Sequence, residues 1–193
     1  MVIVTSLKDH SDVCLSVNPS HLISVIDPGF APKTPHNVKN HLKLGFDDII
    51  EIKKDNLIHR KKGKITKSNS LDNQILPNKE HIKDIAKFID TWDSTKPIVI
   101  HCWCGVSRSM ATATYLLCRD DTTNIDRNIR YIRSIAPHAN PNKLLIKLFE
   151  KSLSLKSEIS DAYSKYPHTQ TYDCSINFAP VTIFNINDMS KFK

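Results

Sequence analysis

The chain has 193 residues, 40% apolar and 24% charged, with a net charge of +7. That length suits one domain with a sizeable core, and no stretch approaches the ~18 consecutive apolar residues of a membrane-spanning helix. Five cysteines without framework spacing, and an N-terminus (MVIVTSLKDHSDV) without signal-peptide regions, lead to the expectation of a soluble cytoplasmic protein whose positive charge suits an anionic substrate.

In chain order, Val2–Leu7 reads as a first strand and His21–Ile26 as a second, ended by Asp27-Pro28-Gly29. A Pro-, Lys- and Asn-rich loop follows. His41–Phe46 alternates like a third strand and delivers Asp47-Asp48 at its end. Residues 53–67 cluster Lys53, Lys54, Arg60, Lys61, Lys62, Lys64 and Lys67 and run on into Ser68-Asn69-Ser70. This reads as a solvated, flexible loop inserted at about 53–76, and as a candidate surface for an anionic partner. It lacks the reader motifs and aromatic interleaving of specific nucleic-acid binding. Pro77-Asn78 opens a helix whose Ile82, Ile85, Ala86, Ile89 and Trp92 keep the 3.6-residue period.

Pro97–Ile100 is a short apolar run typical of a buried strand, and Met110–Cys118 reads as a buried helix. Thr123–Asp126 has the form of a capping box opening a helix with Ile125, Ile129, Ile132 and Ile135 on one face. Asn140-Pro141 starts another, with Leu144, Leu145, Leu148 and Phe149 inward. Strands alternating with helices predict an α/β three-layer sandwich, a central, mostly parallel sheet flanked by helices, with its site at the carboxyl ends of the strands. The principal domain is expected over 1–154. Residues 155–193 read as a C-terminal appendage packed on the same domain, with a helix from near Ser157 and an edge strand at Val181–Phe184.

Between the apolar strand and the buried helix lies the most informative stretch, His101-Cys102-Trp103-Cys104-Gly105-Val106-Ser107-Arg108-Ser109. A strand, a tight loop and a helix N-terminus make an anion site, because loop N–H groups and the helix dipole converge on one point. A cysteine at the base of such a loop has its thiolate stabilised and becomes a nucleophile near neutral pH. Cys104 allows either a small loop-filling side chain or a reversible link to Cys102. A zinc site is disfavoured, since Cys14, Cys118 and Cys174 show no paired-ligand spacing.

This segment resembles the phosphate-binding loop of the cysteine-dependent protein tyrosine phosphatase superfamily, whose signature is HCxxGxxR followed by Ser or Thr. Within that superfamily the chain looks closest to the compact tyrosine and dual-specificity enzymes, particularly the bacterial kind. The resemblance implies a protein tyrosine phosphatase-like fold and a phosphocysteine mechanism. Cys102 would attack phosphorus and Arg108 would hold two phosphate oxygens with its planar fork. The backbone N–H groups of Trp103, Cys104, Gly105, Val106, Ser107 and Arg108 would bind the remaining oxygens. Ser109 would hydrogen-bond the Cys102 sulfur, and His101 would orient the loop from behind.

The family's general acid is an Asp upstream that protonates the leaving oxygen and then activates water. Here Asp47-Asp48 occupies that place at a strand end; the alignment favours Asp48, with Asp47 as fallback. The sequence departs from the family in spacing, because Asp48 precedes Cys102 by 54 residues, an interval lengthened by the basic insertion. The resemblance implies no metal or organic cofactor. It implies a phosphotyrosine protein substrate, with dual specificity left open. The alternatives are a phosphatase of a phosphoinositide, inositol phosphate or nucleotide, and a catalytically silent phospho-binding module.

Overall fold

Three runs of aliphatic residues, VIVT, HLISVI and IVIH, are buried along their whole length and form the centre of one sheet. The computed structural model describes residues 1–52, 57–61, 64–68, 74–173 and 175–192. In chain order its elements are β1 (Val2–Thr5), α1 (His10–Val17), β2 (His21–Ile26), β3 (Asn40–Gly45), β4 (Leu57–Lys61), β5 (Lys64–Ser68), α2 (Lys79–Asp90), β6 (Ile98–His101), α3 (Arg108–Arg119), a 3-10 turn (Thr122–Asn124), α4 (Ile125–Ile135), α5 (Lys143–Ser152), α6 (Glu158–Lys165), β7 (Thr182–Phe184) and α7 (Ile186–Lys191).

The five-stranded sheet has the order β3-β2-β6-β1-β7. The first four strands run parallel and β7 runs antiparallel to β1. Continuous apolar runs suit such a sheet because both faces are covered. Val2, Val4, Ile23, Val25, Ile98 and Ile100 face the larger core, shared with residues of α2 to α6. Ile3, Leu22 and Val99 face a smaller core with Cys14 and Val38. Pairing between β1, β2 and β6 sets Thr5 and Ser24 on either side of His101. The carboxyl end of β6 is thus the centre of the sheet's functional edge, and α3 leaves from it.

The sequence reading named no element at α1, which carries little periodic signal because it buries only His10 and Cys14. Two local expectations are corrected. Part of the stretch expected as flexible loop forms an antiparallel hairpin, β4 with β5, in the register Leu57↔Ser68 to Lys61↔Lys64. Lys53, Lys54 and Lys62 lie outside the described residues. The capping box at Thr123 is not formed: a 3-10 turn intervenes and Asn124 caps α4 without a side-chain bond. Asp121 instead accepts from Thr123 Oγ1 and Asn124 Nδ2, and Asp126 pairs with Arg130 and Lys165.

The C-terminal stretch from residue 155 contributes to the same core. Ile159, Ala162, Phe184 and Met189 are buried in it, and β7 completes the sheet. The buried Glu150 of α5 accepts from the Ser160 amide at 2.7 Å and its hydroxyl at 3.0 Å, which fixes the first turn of α6. The Tyr131 hydroxyl donates to Asn185 O and accepts from Asn185 N, both at 2.9 Å, joining α4 to the β7–α7 junction.

Candidate active site

The loop from Cys102 to Ser107 curls back on itself, and its carbonyls show which way its amides face. Leu7 N donates to Trp103 O, Ala179 N to Cys104 O and Asn140 N to Val106 O, each at 3.0 Å. These carbonyls point outward into surrounding chain. In a trans peptide the N–H of the next residue points the opposite way, so the amides of Cys104, Gly105 and Ser107 face the loop centre. There Gly105 N lies 3.3 Å from Cys102 Sγ. Gly105 has φ +78°, and a Cβ on it would stand 3.2 Å from the Thr5 carbonyl carbon, so the curl requires glycine.

Cys102 is buried at the bottom, with its sulfur 3.1 Å from Ser109 Oγ. It is a free thiol, and a link to Cys104 is not the arrangement found. Cys104 is disulfide-bonded, and Cys174 lies outside the described residues. Burial pushes the free thiols of Cys14 up to about 11 and of Cys118 up to about 12.

Ser107 sits at the N-cap of α3 but makes no capping bond. Its hydroxyl donates instead to Asp48 Oδ1 at 2.7 Å. The first turn of α3 thus has no side-chain cap from Ser107, and uncapped amides at a helix start suit an anion. Arg108, the first residue of that helix, is 2% exposed. Its Nη1 donates to Phe46 O at 2.6 Å and to Asp27 Oδ1 at 2.5 Å. Its Nε is buried without a hydrogen bond, 3.8 Å from Asp48 Oδ2.

The two candidate acids separate cleanly. Asp48 reaches the loop, where its Oδ1 also accepts from Asn142 Nδ2 at 2.8 Å. Asp47 faces elsewhere. Its Oδ2 accepts from Ile75 N at 2.7 Å while its own N–H donates to Ile75 O at 2.8 Å. Asp47 thus ties together the two ends of the inserted stretch, at a position remote from the loop in bonding terms.

Behind the loop, His101 stacks on His10 with ring centroids 4.6 Å apart. Its Nε2 lies 2.6 Å from Ser24 Oγ, which lies 2.7 Å from His41 Nε2, and His41 Nδ1 lies 2.8 Å from Thr34 Oγ1. His101 Nδ1 faces Cys102 O at 3.4 Å. That carbonyl sets the direction of the chain: Nδ1–H points to it, Ser24 donates to His101, and His41 donates to Ser24. Burial, with help from His10, holds His101 down to about 3, and burial with Lys43 holds His41 down to about 4, so both rings are neutral. The array orients the Cys102 backbone without contributing charge.

Two residues passed over by the sequence reading belong to this constellation. Asp27 closes β2 and joins Arg108 to the Trp103 indole, whose Nε1 donates to Asp27 Oδ2. Asn142 caps α5 through Oδ1, accepting from Leu144 N and Leu145 N at 3.0 Å, while its amide holds Asp48. Asp27 had a topological signal, since β2 neighbours β6 and both end at the same edge. Asn142 carried no site signal, and the helix start was read two residues early, at Asn140-Pro141, whereas Asn142 is the N-cap of α5. Among the described residues, no group of three or more His, Cys, Asp or Glu is placed to hold a metal ion, and no helix is long and apolar enough to cross a membrane.

The family model for the dual specificity phosphatase catalytic domain matches residues 31–152. No curated protein matches the chain. Similar solved structures include DUSP15, with 17% identity and a TM-score of 0.56 over 87% of this chain and 94% of that one. The human tyrosine phosphatase-like serine/threonine/tyrosine-interacting protein is 12% identical, with a TM-score of 0.56 over 79% of this chain and 91% of its own. PTPMT1, solved in complex with PI(5)P, is 12% identical, with a TM-score of 0.53 over 86% and 95%. At these identities the likeness is one of fold.

Proposed function

The chain belongs to the dual specificity phosphatase catalytic-domain family, and on that footing we propose that it hydrolyses phosphate monoesters of proteins, phosphotyrosine foremost, through a phosphocysteine intermediate. The observation that carries the reading is the convergence of Cys102, inward-facing loop amides, Arg108 and Asp48 on one point at the end of β6.

In this mechanism the phosphoryl oxygens sit in the ring of loop amides, with the Nε edge of Arg108 completing the cradle. The Cys102 thiolate attacks phosphorus in line as the ester oxygen leaves. Asp48, protonated at this stage, gives that oxygen its proton. The carboxylate then accepts a proton from water, which attacks the phosphocysteine and releases inorganic phosphate. Ser109, within reach of the sulfur, stabilises the departing thiolate. Trp103 gives the loop an aromatic rim where a family member for highly phosphorylated lipids would gain from lysine, which favours a phosphotyrosine side chain over a lipid headgroup.

The test is a substrate panel assayed with chelator present: p-nitrophenyl phosphate, phosphotyrosine, phosphoserine and phosphothreonine peptides, and phosphoinositide vesicles. Highest kcat/KM on the phosphotyrosine peptides is expected. Preferred hydrolysis of phosphoinositides would replace the protein substrate with a lipid. Oxyanion binding without turnover of any substrate would make the chain a phospho-binding module.

A further inference from the structure

We propose that Asp27 is a positioning residue of the phosphate site, holding the Arg108 guanidinium in its transition-state orientation while weakening the binding of ground-state phosphate. The proposal rests on the phosphatase reading above.

The placement of Asp27 is built into the backbone. Asp27-Pro28-Gly29-Phe30 closes with Phe30 N donating to Asp27 O at 3.1 Å, and Gly29 has φ +82°. Proline second and a positive-φ glycine third are the requirements of a type II turn. The turn follows β2 directly, so a rigid strand and a rigid turn fix the Asp27 carboxylate at the functional edge.

Both of its oxygens are engaged. Oδ1 accepts from Arg108 Nη1 at 2.5 Å, and Oδ2 accepts from Trp103 Nε1. Trp103 in turn packs on Phe30 of the same turn, with ring centroids 5.4 Å apart. One carboxylate thus couples the guanidinium to the indole that rims the loop. With Nη1 saturated by Asp27 and Phe46 O, the fork cannot rotate freely about its stem. The buried, unbonded Nε is left to meet a phosphoryl oxygen.

A carboxylate at this position carries a second consequence. It places negative charge beside the site of a phosphate dianion, so it opposes ground-state binding. Orientation helps most where geometry is most demanding, in the five-coordinate transition state. Asp27 therefore favours the transition state over the ground state, which is the differential that raises turnover.

The experiment compares wild type, Asp27→Asn and Asp27→Ala by calorimetric binding of phosphate and of vanadate, by thermal melting, and by kcat and KM on p-nitrophenyl phosphate. Vanadate bonds to the thiolate and adopts the five-coordinate geometry. For both variants the expected result is unchanged or tighter phosphate binding, a vanadate-over-phosphate preference reduced about tenfold or more, and kcat reduced by a similar factor with KM unchanged or lower. Wild-type kcat and a wild-type vanadate preference in both variants would overturn the proposal. So would phosphate and vanadate affinities that fall together with the melting temperature, since Asp27 would then only hold the loop together. Wild type that binds neither oxyanion would overturn the phosphate-site reading itself, whereas oxyanion binding without turnover would still test Asp27 through the vanadate preference.

Discussion

Asn142 joins helix stability to acid placement, and two substitutions pull those roles apart. Its Oδ1 caps α5 through Leu144 N and Leu145 N, and its Nδ2 donates to Asp48 Oδ1 at 2.8 Å and to Ile49 O at 3.3 Å. The side chain is buried, so water does not readily replace it. Asn142→Ala removes both functions. Loss of the cap costs about 1 kcal/mol, and loss of the bond to the part-exposed carboxylate under about 1 kcal/mol, for a total of roughly 1 to 2 kcal/mol. Asn142→Ser keeps a cap of comparable quality but is too short to reach Asp48. Asp48 is about a third exposed, so solvent takes up part of the lost bond and the Ser variant should lose under about 1 kcal/mol.

Turnover should fall in both variants by about tenfold, a fraction of the hundredfold or more that a general acid supplies. Urea unfolding reads the stability and p-nitrophenyl phosphate turnover reads the chemistry. Equal destabilisation of the two variants would refute the division of roles. Wild-type kcat in Asn142→Ser would refute the claim that Asn142 positions the acid.

Three further outcomes are expected. His101 is held down to about 3 when folded, against 6.5 as its ordinary value, so only the unfolded chain takes up its proton between those values. Its contribution to stability is complete above pH 6.5 and falls by about 1.4 kcal/mol per unit as pH drops towards 3. Urea unfolding of wild type and His101→Asn from pH 7 to pH 4 should show a shallower slope in the variant; parallel slopes would contradict the neutral ring. Iodoacetamide near neutral pH should label Cys102 and spare Cys14 and Cys118, with labelling blocked by inorganic phosphate, as read by peptide mass spectrometry. Truncation after Leu155 should abolish folding, because it strips β7 from the sheet and Ile159, Ala162, Phe184 and Met189 from the core. A soluble, cooperatively melting fragment would show that the tail is dispensable.

Much of the architecture was legible because the chain states it in continuous form. HLISVI is buried along its whole length, and its β2 bounds match those expected from the sequence alone. α2 was equally clear, since Ile82, Ile85 and Ile89 repeat at helical spacing behind the Asn78 cap. α1 was not, because one buried cysteine and one buried histidine leave no apolar stripe to read. The Thr123 cap failed for a tertiary reason: Asp121 collects the Thr123 and Asn124 side chains and turns the chain once before α4 begins.

The site divides in the same way. The nonapeptide 101–109 carries its own geometry, so the gathering of Cys102, Gly105 and Ser109 around one tight loop was legible in the sequence. Alignment of the strand end favoured Asp48 over Asp47, but their partners, Ser107 for Asp48 and Ile75 for Asp47, were not legible in the sequence. Asp27 and Asn142 act on partners 81 and 94 residues away, and no local pattern encodes such pairings.

The most direct test of the account is to catch the phosphocysteine. Wild type, Asp48→Asn and Cys102→Ser are mixed with p-nitrophenyl phosphate under chelator, quenched in acid within the first turnovers, and examined by intact and peptide mass spectrometry. One phosphoryl group is expected on the peptide carrying Cys102 in wild type, a larger trapped fraction in Asp48→Asn, and neither adduct nor turnover in Cys102→Ser. Turnover that persists in Cys102→Ser, or a phosphoryl group found on another residue, would contradict it.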